Sequence, residues 1–218
     1  MSYFSESQTS QFNELARRLE QRTGVEVMAA VVGKCDSYPE IPWKAFALGA
    51  ALGALGLLIR LAVYPTWLIF SDILVHTAVI LGIGAGTALL TSFWLTFGRV
   101  FLDPHRANQE VRQYAQAMFL ERELFKTPQR YAILLLVGLF ERQVVILPDS
   151  GIEGRLPHSA FKDIVRAITV RLRQGDHYQA LADGLEALEV ALEAAGFKAG
   201  DAQPDIIKDE FIEEKGAE

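Results

Sequence analysis

Two long apolar stretches dominate the pattern of hydrophobic and polar positions along the chain. The first runs from Ala45 to about Tyr64 and carries Arg60 near its end, where a long side chain can reach the headgroup layer. The second, Ile73 to Phe97, contains no Asp, Glu, Lys or Arg. About 20 predominantly apolar residues are enough to cross the hydrocarbon core of a bilayer. The pattern therefore predicts a hairpin of two transmembrane helices over residues 44–98.

The positive charges predict the orientation of this hairpin. Lys34 and Lys44 precede it and Arg99 follows it, whereas the loop between the two stretches carries Asp72. Because Lys and Arg favour the cytoplasmic side, the loop is expected to face outward and both termini to face the cytoplasm. We expect an integral protein of the cytoplasmic (inner) membrane.

Helix and strand periodicities alternate on both sides of the hairpin. Residues 1–43 are expected to hold a helix, which Ser5 and Gln8 begin with capping-box spacing, and a buried strand at Val25–Val32. Residues 99–196 show a helix, two strands joined by a tight turn, and two further helices. This order predicts an α/β fold with a small mixed sheet flanked by helices, in which a parallel pair is followed by an antiparallel hairpin.

Charge and cysteine content narrow the function classes. The net charge is −6, and acids are concentrated in residues 197–218, a tail predicted to be disordered apart from a short apolar segment at Ile206–Ile212. The chain shows no basic surface that would indicate a nucleic-acid partner. Cys35 is the single cysteine, which is compatible with a reducing compartment, and Met1–Ser10 lacks the apolar core of a signal peptide.

Several local sequences carry a resemblance to a known family. They are EVMAAVV in the first strand, RQYAQAMFLERELF in the next helix, AILLLVGLFERQVVILPDSGIEGRL across the strand hairpin, and DHYQALADGLEALEVAL in the last helix. With these segments the chain resembles the TPM domain family, as an atypical member with a transmembrane hairpin inserted in the domain. The resemblance implies a role in the assembly, repair or regulation of membrane complexes, and phosphatase activity and divalent-cation binding are attributed to some members.

The turn after the second strand of the hairpin is the first candidate site. Asp149 and Glu153 are candidate ligands for a divalent cation such as Ca²⁺, and Ser150 and Gly151 are candidate ligand-binding residues beside them. The alternative is an ordinary turn in which Asp149 accepts local backbone hydrogen bonds. No cofactor other than such a cation is indicated.

Two further features have a functional and a structural interpretation. Arg142, next to Glu141 at the strand turn, could orient an anionic ligand with its bidentate fork, or the pair could be a solvated hairpin tip. In the membrane segments, two small-residue pairs allow close helix packing, within one chain or between chains of a homo-oligomer. These pairs are Gly49 with Gly53, and Gly82 with Gly86.

The sequence thus favours a non-enzymatic, membrane-anchored interaction module that binds a membrane-protein partner and acts in assembly, maintenance or regulation of a membrane complex. The alternative is a divalent-metal-dependent phosphatase at the cytoplasmic face of the membrane. The third hypothesis is a channel or transporter subunit. The lack of polar lining in both apolar stretches disfavours it.

Overall fold

The structure, a computed structural model, describes residues 4–65, 67, 69–198 and 211–217 of the chain. The chain divides into two compact units: an α/β domain made of residues 1–36 and 105–218, and a helical segment of residues 37–104. The helices are α1 Glu6–Thr23, α2 Glu40–Val63, α3 Phe70–Phe93, α4 Leu95–Gly98, α5 Pro104–Glu121, α6 Ser150–Glu153, α7 His158–Arg173 and α8 His177–Ala194, with short 3-10 turns at Arg99–Phe101 and Leu124–Lys126. The strands are β1 Glu26–Val32, β2 Ala132–Gly138, β3 Gln143–Pro148 and β4 Phe211–Glu214.

The four strands form one mixed sheet in the order β3-β2-β1-β4. β1 and β2 are parallel with Glu26 opposite Ala132, and β2 and β3 are antiparallel with Gly138 opposite Gln143. The predicted α/β class, with a parallel pair followed by an antiparallel hairpin, is confirmed. Both β1 and β2 are buried along their whole length, which explains why each appears in the sequence as a continuous apolar run.

Helices cover both faces of the sheet. Odd-numbered side chains of β1 pack on one apolar cluster together with residues of α1, α7 and α8. Even-numbered side chains of β1 pack on a second cluster that includes residues of α5. Because side chains alternate across a strand, a strand in the middle of such a sheet is apolar at nearly every position, and Glu26 at the start of β1 is the exception.

Helix α1 begins where the sequence predicts. The Ser5 side chain accepts a hydrogen bond from the backbone N–H of Gln8. In turn, the Gln8 side-chain oxygen accepts a hydrogen bond from the backbone N–H of Ser5. At the other end Gly24 has φ 69° and closes the helix in the left-handed conformation that favours glycine. Phe12 and Leu19 on its inner face are buried. This helix is therefore held at both termini as well as along its apolar stripe.

The C-terminal tail differs from its prediction. Phe211–Glu214 forms β4, which pairs in parallel with β1. Disorder is therefore the wrong prediction for Glu213 and Glu214, whereas Phe211 and Ile212 belong to the apolar segment that the prediction excepted. Four residues of this composition carry no strand signal of their own, and the pairing depends on the edge that β1 offers. Residues 199–210, including the first part of the predicted apolar segment Ile206–Ile212, lie outside the described residues.

In the helical segment, α2 and α3 pack against each other as a hairpin. Both are long and apolar enough to cross a membrane, by length and composition. α3 starts at Phe70 and ends at Phe93, so it is displaced toward the N-terminus relative to the predicted Ile73–Phe97. The Thr87 hydroxyl donates to the carbonyl oxygen of Ala45 at 2.9 Å, which joins the start of α2 to the last part of α3, at the end of the hairpin opposite the loop between them.

The glycines of this hairpin separate into two sets. A Cβ at Gly49 would overlap the Thr87 side chain, and one at Gly53 would lie 3.1 Å from Ile83 Cδ1, so both glycines lie at the α2–α3 contact. At Gly82 and Gly86 a Cβ would meet no described atom within 4 Å. The hairpin contact therefore uses the first predicted glycine pair, while the second lies on the open face of α3.

Candidate functional site

The candidate residues lie at two opposite ends of the sheet. The amino end, where β1 and β2 begin, is also where β3 finishes, and it carries Asp149, Ser150, Gly151 and Glu153. The carboxyl end, where β1 and β2 finish, carries Arg142 just before β3. The six residues of β3 span about 20 Å at about 3.3 Å per residue. Arg142 is therefore not brought together with the other candidate residues.

Asp149 at the amino end is buried, with 4% of its surface exposed. Its Oδ1 accepts from the Ser150 backbone N–H at 2.6 Å, and from Arg130 Nε at 3.0 Å and Nη2 at 2.9 Å. Its Oδ2 is buried and has no hydrogen-bond partner among the described residues. One oxygen thus caps α6 and binds an arginine, while the other is desolvated without compensation.

Gly151 is required by the same turn. A Cβ there would overlap the carbonyl oxygen of Gln129 and would lie 2.8 Å from that of Arg130. The backbone of residues 129–130 therefore lies directly on the α6 turn, and Arg130 reaches Asp149 from it. Arg130 itself has a left-handed φ of 62°, and its Nη1 donates to the carbonyl oxygen of Phe125. The local interpretation of this turn, with Asp149 accepting backbone hydrogen bonds, holds for its contacts.

The cation-binding prediction at this turn stays a prediction. Ser150 and Glu153 are exposed, whereas Asp149 is buried and bound to an arginine. Among the described residues no group of three or more His, Cys, Asp or Glu side chains is positioned to hold a metal ion. A cation at Asp149 would need Oδ2 together with backbone or hydroxyl oxygens, and it would lie beside the Arg130 guanidinium. That proximity weakens cation binding through like-charge repulsion.

At the carboxyl end the structure corrects the idea of a solvated hairpin tip. Glu141 is 7% exposed, and its Oε1 accepts from the backbone N–H of Cys35 at 2.9 Å. Space for the carboxylate comes from Gly138, where a Cβ would lie 2.7 Å from Glu141 Oε2. Arg142 beside it is exposed and has a left-handed φ of 54°. The turn thus buries its acid and exposes its base.

Cys35 lies in this buried arrangement at the end of β1. Burial raises the pKa of the Cys35 thiol, and the nearby Glu141 carboxylate raises it further. A thiol in such surroundings stays protonated and is a poor nucleophile at neutral pH. The environment of Cys35 is that of a structural cysteine.

The outer edge of β1 holds the C-terminal segment by several kinds of contact at once. We call this edge, with Phe4, Phe12, Tyr114 and Arg122, the tail groove. Its backbone contacts include the Gly33 N–H, which donates to the Glu214 carbonyl, and the Ala217 N–H, which donates to the Lys34 carbonyl, both at 2.9 Å. The ring of Phe211 lies 5.0 Å from that of Phe4 and 5.1 Å from that of Phe12.

A charged contact completes the tail groove. The Tyr114 hydroxyl donates to Glu214 Oε2 at 2.6 Å, and Arg122 Nη2 lies 3.3 Å from Glu214 Oε1. Burial, and then the hydrogen bond to Glu214, raise the pKa of Tyr114, so the phenol remains a donor well above neutral pH. Sequence reasoning missed these residues, because nothing local links a tyrosine of α5 and the arginine just after that helix to one acid in the tail.

Comparison with known proteins supports the fold assignment. Residues 99–191 match the family model described as TPM domain, so the resemblance predicted from the sequence is confirmed for this part of the chain. The BA42 protein from the psychrophilic bacterium Bizionia argentinensis, solved by NMR, has a similar structure with a TM-score of 0.56 at 15% identity, covering 97% of this chain and 96% of that chain. At that identity the likeness shows the fold alone. No curated protein matches this chain.

Proposed function

We propose that this chain is a membrane-anchored, TPM-like interaction module that binds a membrane-protein partner and acts in assembly, maintenance or regulation of a membrane complex. The exposed apolar surface of α2 and α3 is the observation that carries the proposal. Leu58, Phe70 and Phe93 are 64%, 76% and 84% exposed, and they belong to helices of spanning length. Such a surface requires an apolar surrounding, and lipid is the one that two helices of this length match.

The contacts of the candidate residues support a binding role over catalysis. The buried acids Asp149 and Glu141 each bind a group of this chain, Arg130 in one case and the Cys35 backbone in the other. Carboxylates engaged in this way stabilise turns, and the exposed Arg142 remains as a charged contact for an acidic partner. With both termini at the cytoplasmic face, the partner would be met at that surface.

Affinity purification tests this function. The tagged full chain, expressed at its native level and extracted in mild detergent, should return a membrane protein in a fixed ratio. A matched sample carrying Arg142→Ala, which leaves the buried contacts intact, shows whether the exposed arginine contributes to the yield. Recovery of the chain alone, as a monomer by light scattering, would exclude a stable partner and with it this proposal.

The second candidate function is a metal-dependent phosphatase at the amino end of the sheet. It is favoured by the buried and unbonded Asp149 Oδ2, and by the name TPM phosphatase that the matching family model carries. The test is hydrolysis of an aryl phosphate with and without Ca²⁺ or Mg²⁺, comparing the full chain with Asp149→Asn. The phosphatase function is supported if a chelator abolishes the hydrolysis and Asp149→Asn removes it. It is excluded if the wild type and Asp149→Asn show the same trace hydrolysis.

A further inference from the structure

The segment of residues 211–217 is bound by the α/β domain in the manner of a separate peptide. It pairs with β1 through backbone hydrogen bonds, and successive side chains enter opposite faces of the sheet. Phe211 packs on the cluster that includes α1, and Ile212 is buried in the cluster that includes α5. Strand addition of this kind supplies affinity through the main chain and specificity through alternate side chains.

Two pairs of residues in the tail groove each contact one side chain of the segment. Phe4 and Phe12 contact an aromatic ring, and Arg122 with Tyr114 bind a carboxylate three positions later. The carboxylate receives one hydrogen bond from a half-buried phenol and one from a cation, and hydrogen bonds to charged groups are the stronger class. Together these contacts define the pattern aromatic, aliphatic, any residue, acidic.

The end of the segment adds a requirement for glycine. Gly216 has φ 78°, and a Cβ there would overlap the carbonyl oxygen of Lys34. Only glycine combines that backbone conformation with so close an approach. The preceding Glu214 carbonyl accepts from the Gly33 N–H, so the chain bends directly after the last sheet bond. The groove therefore spans six positions and specifies four of them, the last being glycine.

We propose that the tail groove is a binding site for an extended acidic segment of a partner protein with the pattern aromatic–aliphatic–x–acidic–x–Gly, and that residues 211–217 occupy it as a competing, tethered ligand. This inference rests on the proposed interaction function and specifies its partner. β4 has only four residues in the sheet, so only a short strand must leave it for exchange. Because the competing ligand belongs to the same chain, its effective concentration is high, so the partner segment must itself be presented locally, as on a shared membrane.

The test uses the full chain in detergent and a fluorescent peptide of sequence Phe-Ile-Glu-Glu-Lys-Gly-Ala. In the double variant Ile212→Asp/Gly216→Val, the chain's own segment can no longer dock and the groove is vacated. Peptide affinity, measured by fluorescence anisotropy, should rise at least about tenfold over the wild type, because the tethered competitor is lost. A chain ending at Lys198 provides a second vacated receptor should the double variant fail to fold.

A charge-reversal pair is the matched control. In the vacated receptor, Arg122→Glu should lower affinity about tenfold, as expected for loss of one charge-assisted hydrogen bond. A peptide with Lys in place of the fourth residue, the counterpart of Glu214, should then bind the Arg122→Glu receptor better than the original peptide does. The proposal would be overturned if the vacated receptors still melt cooperatively but bind the original peptide and a scrambled peptide equally well.

Two further results separate this inference from its alternatives. If the wild type is a dimer by light scattering and the vacated variant is a monomer, the occupant is the tail of a second copy, and a foreign partner segment is excluded. If the full chain and its Arg122→Glu variant return the same membrane partner in the same yield, the interaction function stands and the groove is not its site. If neither returns a partner, the proposed function itself fails.

Discussion

Single residues at both ends of the sheet are held by contacts with residues distant in sequence. The Glu141 carboxylate binds the backbone of Cys35, and Asp149 binds Arg130. Neither bond is local in the sense of a helix turn, and each buries an acid that would otherwise lie in solvent. Since a buried acid without its partner is costly, these positions are where single substitutions should be most visible.

Stability should fall in alkali because the pKa of Cys35 is raised in the folded state by burial and by Glu141. The unfolded thiol loses its proton near its ordinary pKa of about 8.5, while the folded thiol keeps it. The contribution is thus fully present below about pH 8.5 and falls above it by about 1.4 kcal/mol per pH unit, until the folded pKa is reached. Thermal melting between pH 7 and 10.5 measures the fall.

Cys35→Ala is the control for this pH dependence. The variant lacks the thiol, so its melting temperature should decline less between pH 8.5 and 10 than that of the wild type. Tyr114→Phe retains Cys35 and loses one hydrogen bond at every pH, but the slope of its melting temperature against pH should depart from that of the wild type only above the ordinary tyrosine pKa of about 10, since the pKa of Tyr114 is also raised. Identical slopes for wild type and Cys35→Ala would contradict the buried, carboxylate-facing position of the thiol.

Removing Arg130 should destabilise the α/β domain. Arg130→Ala leaves the Asp149 carboxylate buried with only the Ser150 N–H as a partner, which should cost about 1–3 kcal/mol in the free energy of unfolding. The double variant Arg130→Ala/Asp149→Asn should regain part of this loss, because a neutral amide caps α6 without needing a cation. Urea titration followed by circular dichroism gives both values, and an Arg130→Ala protein as stable as wild type would show the pair to be unimportant.

These contacts explain which parts of the candidate site could be predicted from the sequence. The sequence pointed to Asp149 and Gly151 because an acid and a glycine after an apolar strand form a recognisable turn. It could not show that Arg130 neutralises this acid, nor that Gly138 makes room for Glu141. Both depend on which strands become neighbours, and the adjacent residue types alone do not carry that information.

At the scale of elements, the sequence predicted those that carry their own periodicity. β1, β2 and β3 are dense β-branched and aliphatic runs, and α1 has a capping box and a glycine stop. β4 was missed because its four residues include two acids, and its order comes from the β1 edge and the tail groove. When an element is stabilised mainly by tertiary contacts, its local sequence gives little indication of its structure.

The two glycine sets of the hairpin should respond differently to the same substitution. Gly49→Val forces a side chain onto Thr87 and should destabilise the α2–α3 contact by about 1–3 kcal/mol, the usual range for overpacking. Gly82→Val, on the open face of α3, is the matched control and should leave the contact unchanged. Trp43, Trp67 and Trp94 all lie in residues 37–104, so tryptophan fluorescence during SDS titration reports on this segment.

The mass of the Gly82→Val protein tests the homo-oligomer separately. If the open face of α3 joins two chains, this variant should lose a dimer that the wild type forms in detergent, while its SDS titration stays that of the wild type. A wild type that is already monomeric over a wide range of concentration would leave Gly82 and Gly86 without a packing role. Lower SDS resistance for Gly82→Val than for Gly49→Val would contradict the assignment of the two faces.

For the whole molecule, orientation in the membrane is the first property to test. In a Cys35→Ala background, a cysteine at Tyr64, which is 70% exposed in the inter-helix loop, should react with an impermeant maleimide in intact cells. A cysteine at the exposed Gln11 of α1 should react only after permeabilisation. The opposite labelling pattern would reverse the orientation that the Lys and Arg distribution predicts.

The insertion of the helical segment between β1 and β2 has a consequence for biosynthesis. These strands are nearest neighbours in the sheet, yet about a hundred residues of chain separate Val32 from Ala132. At about 5–20 residues per second, a ribosome needs about 5–20 s between them, and both apolar spans emerge in that interval. β1, apolar except for Glu26, remains unpaired while the hairpin engages the insertion machinery. We therefore expect the nascent chain to depend on a holding chaperone, with a pulse-labelled chain stopped before Ala132 far more protease-sensitive than the finished protein.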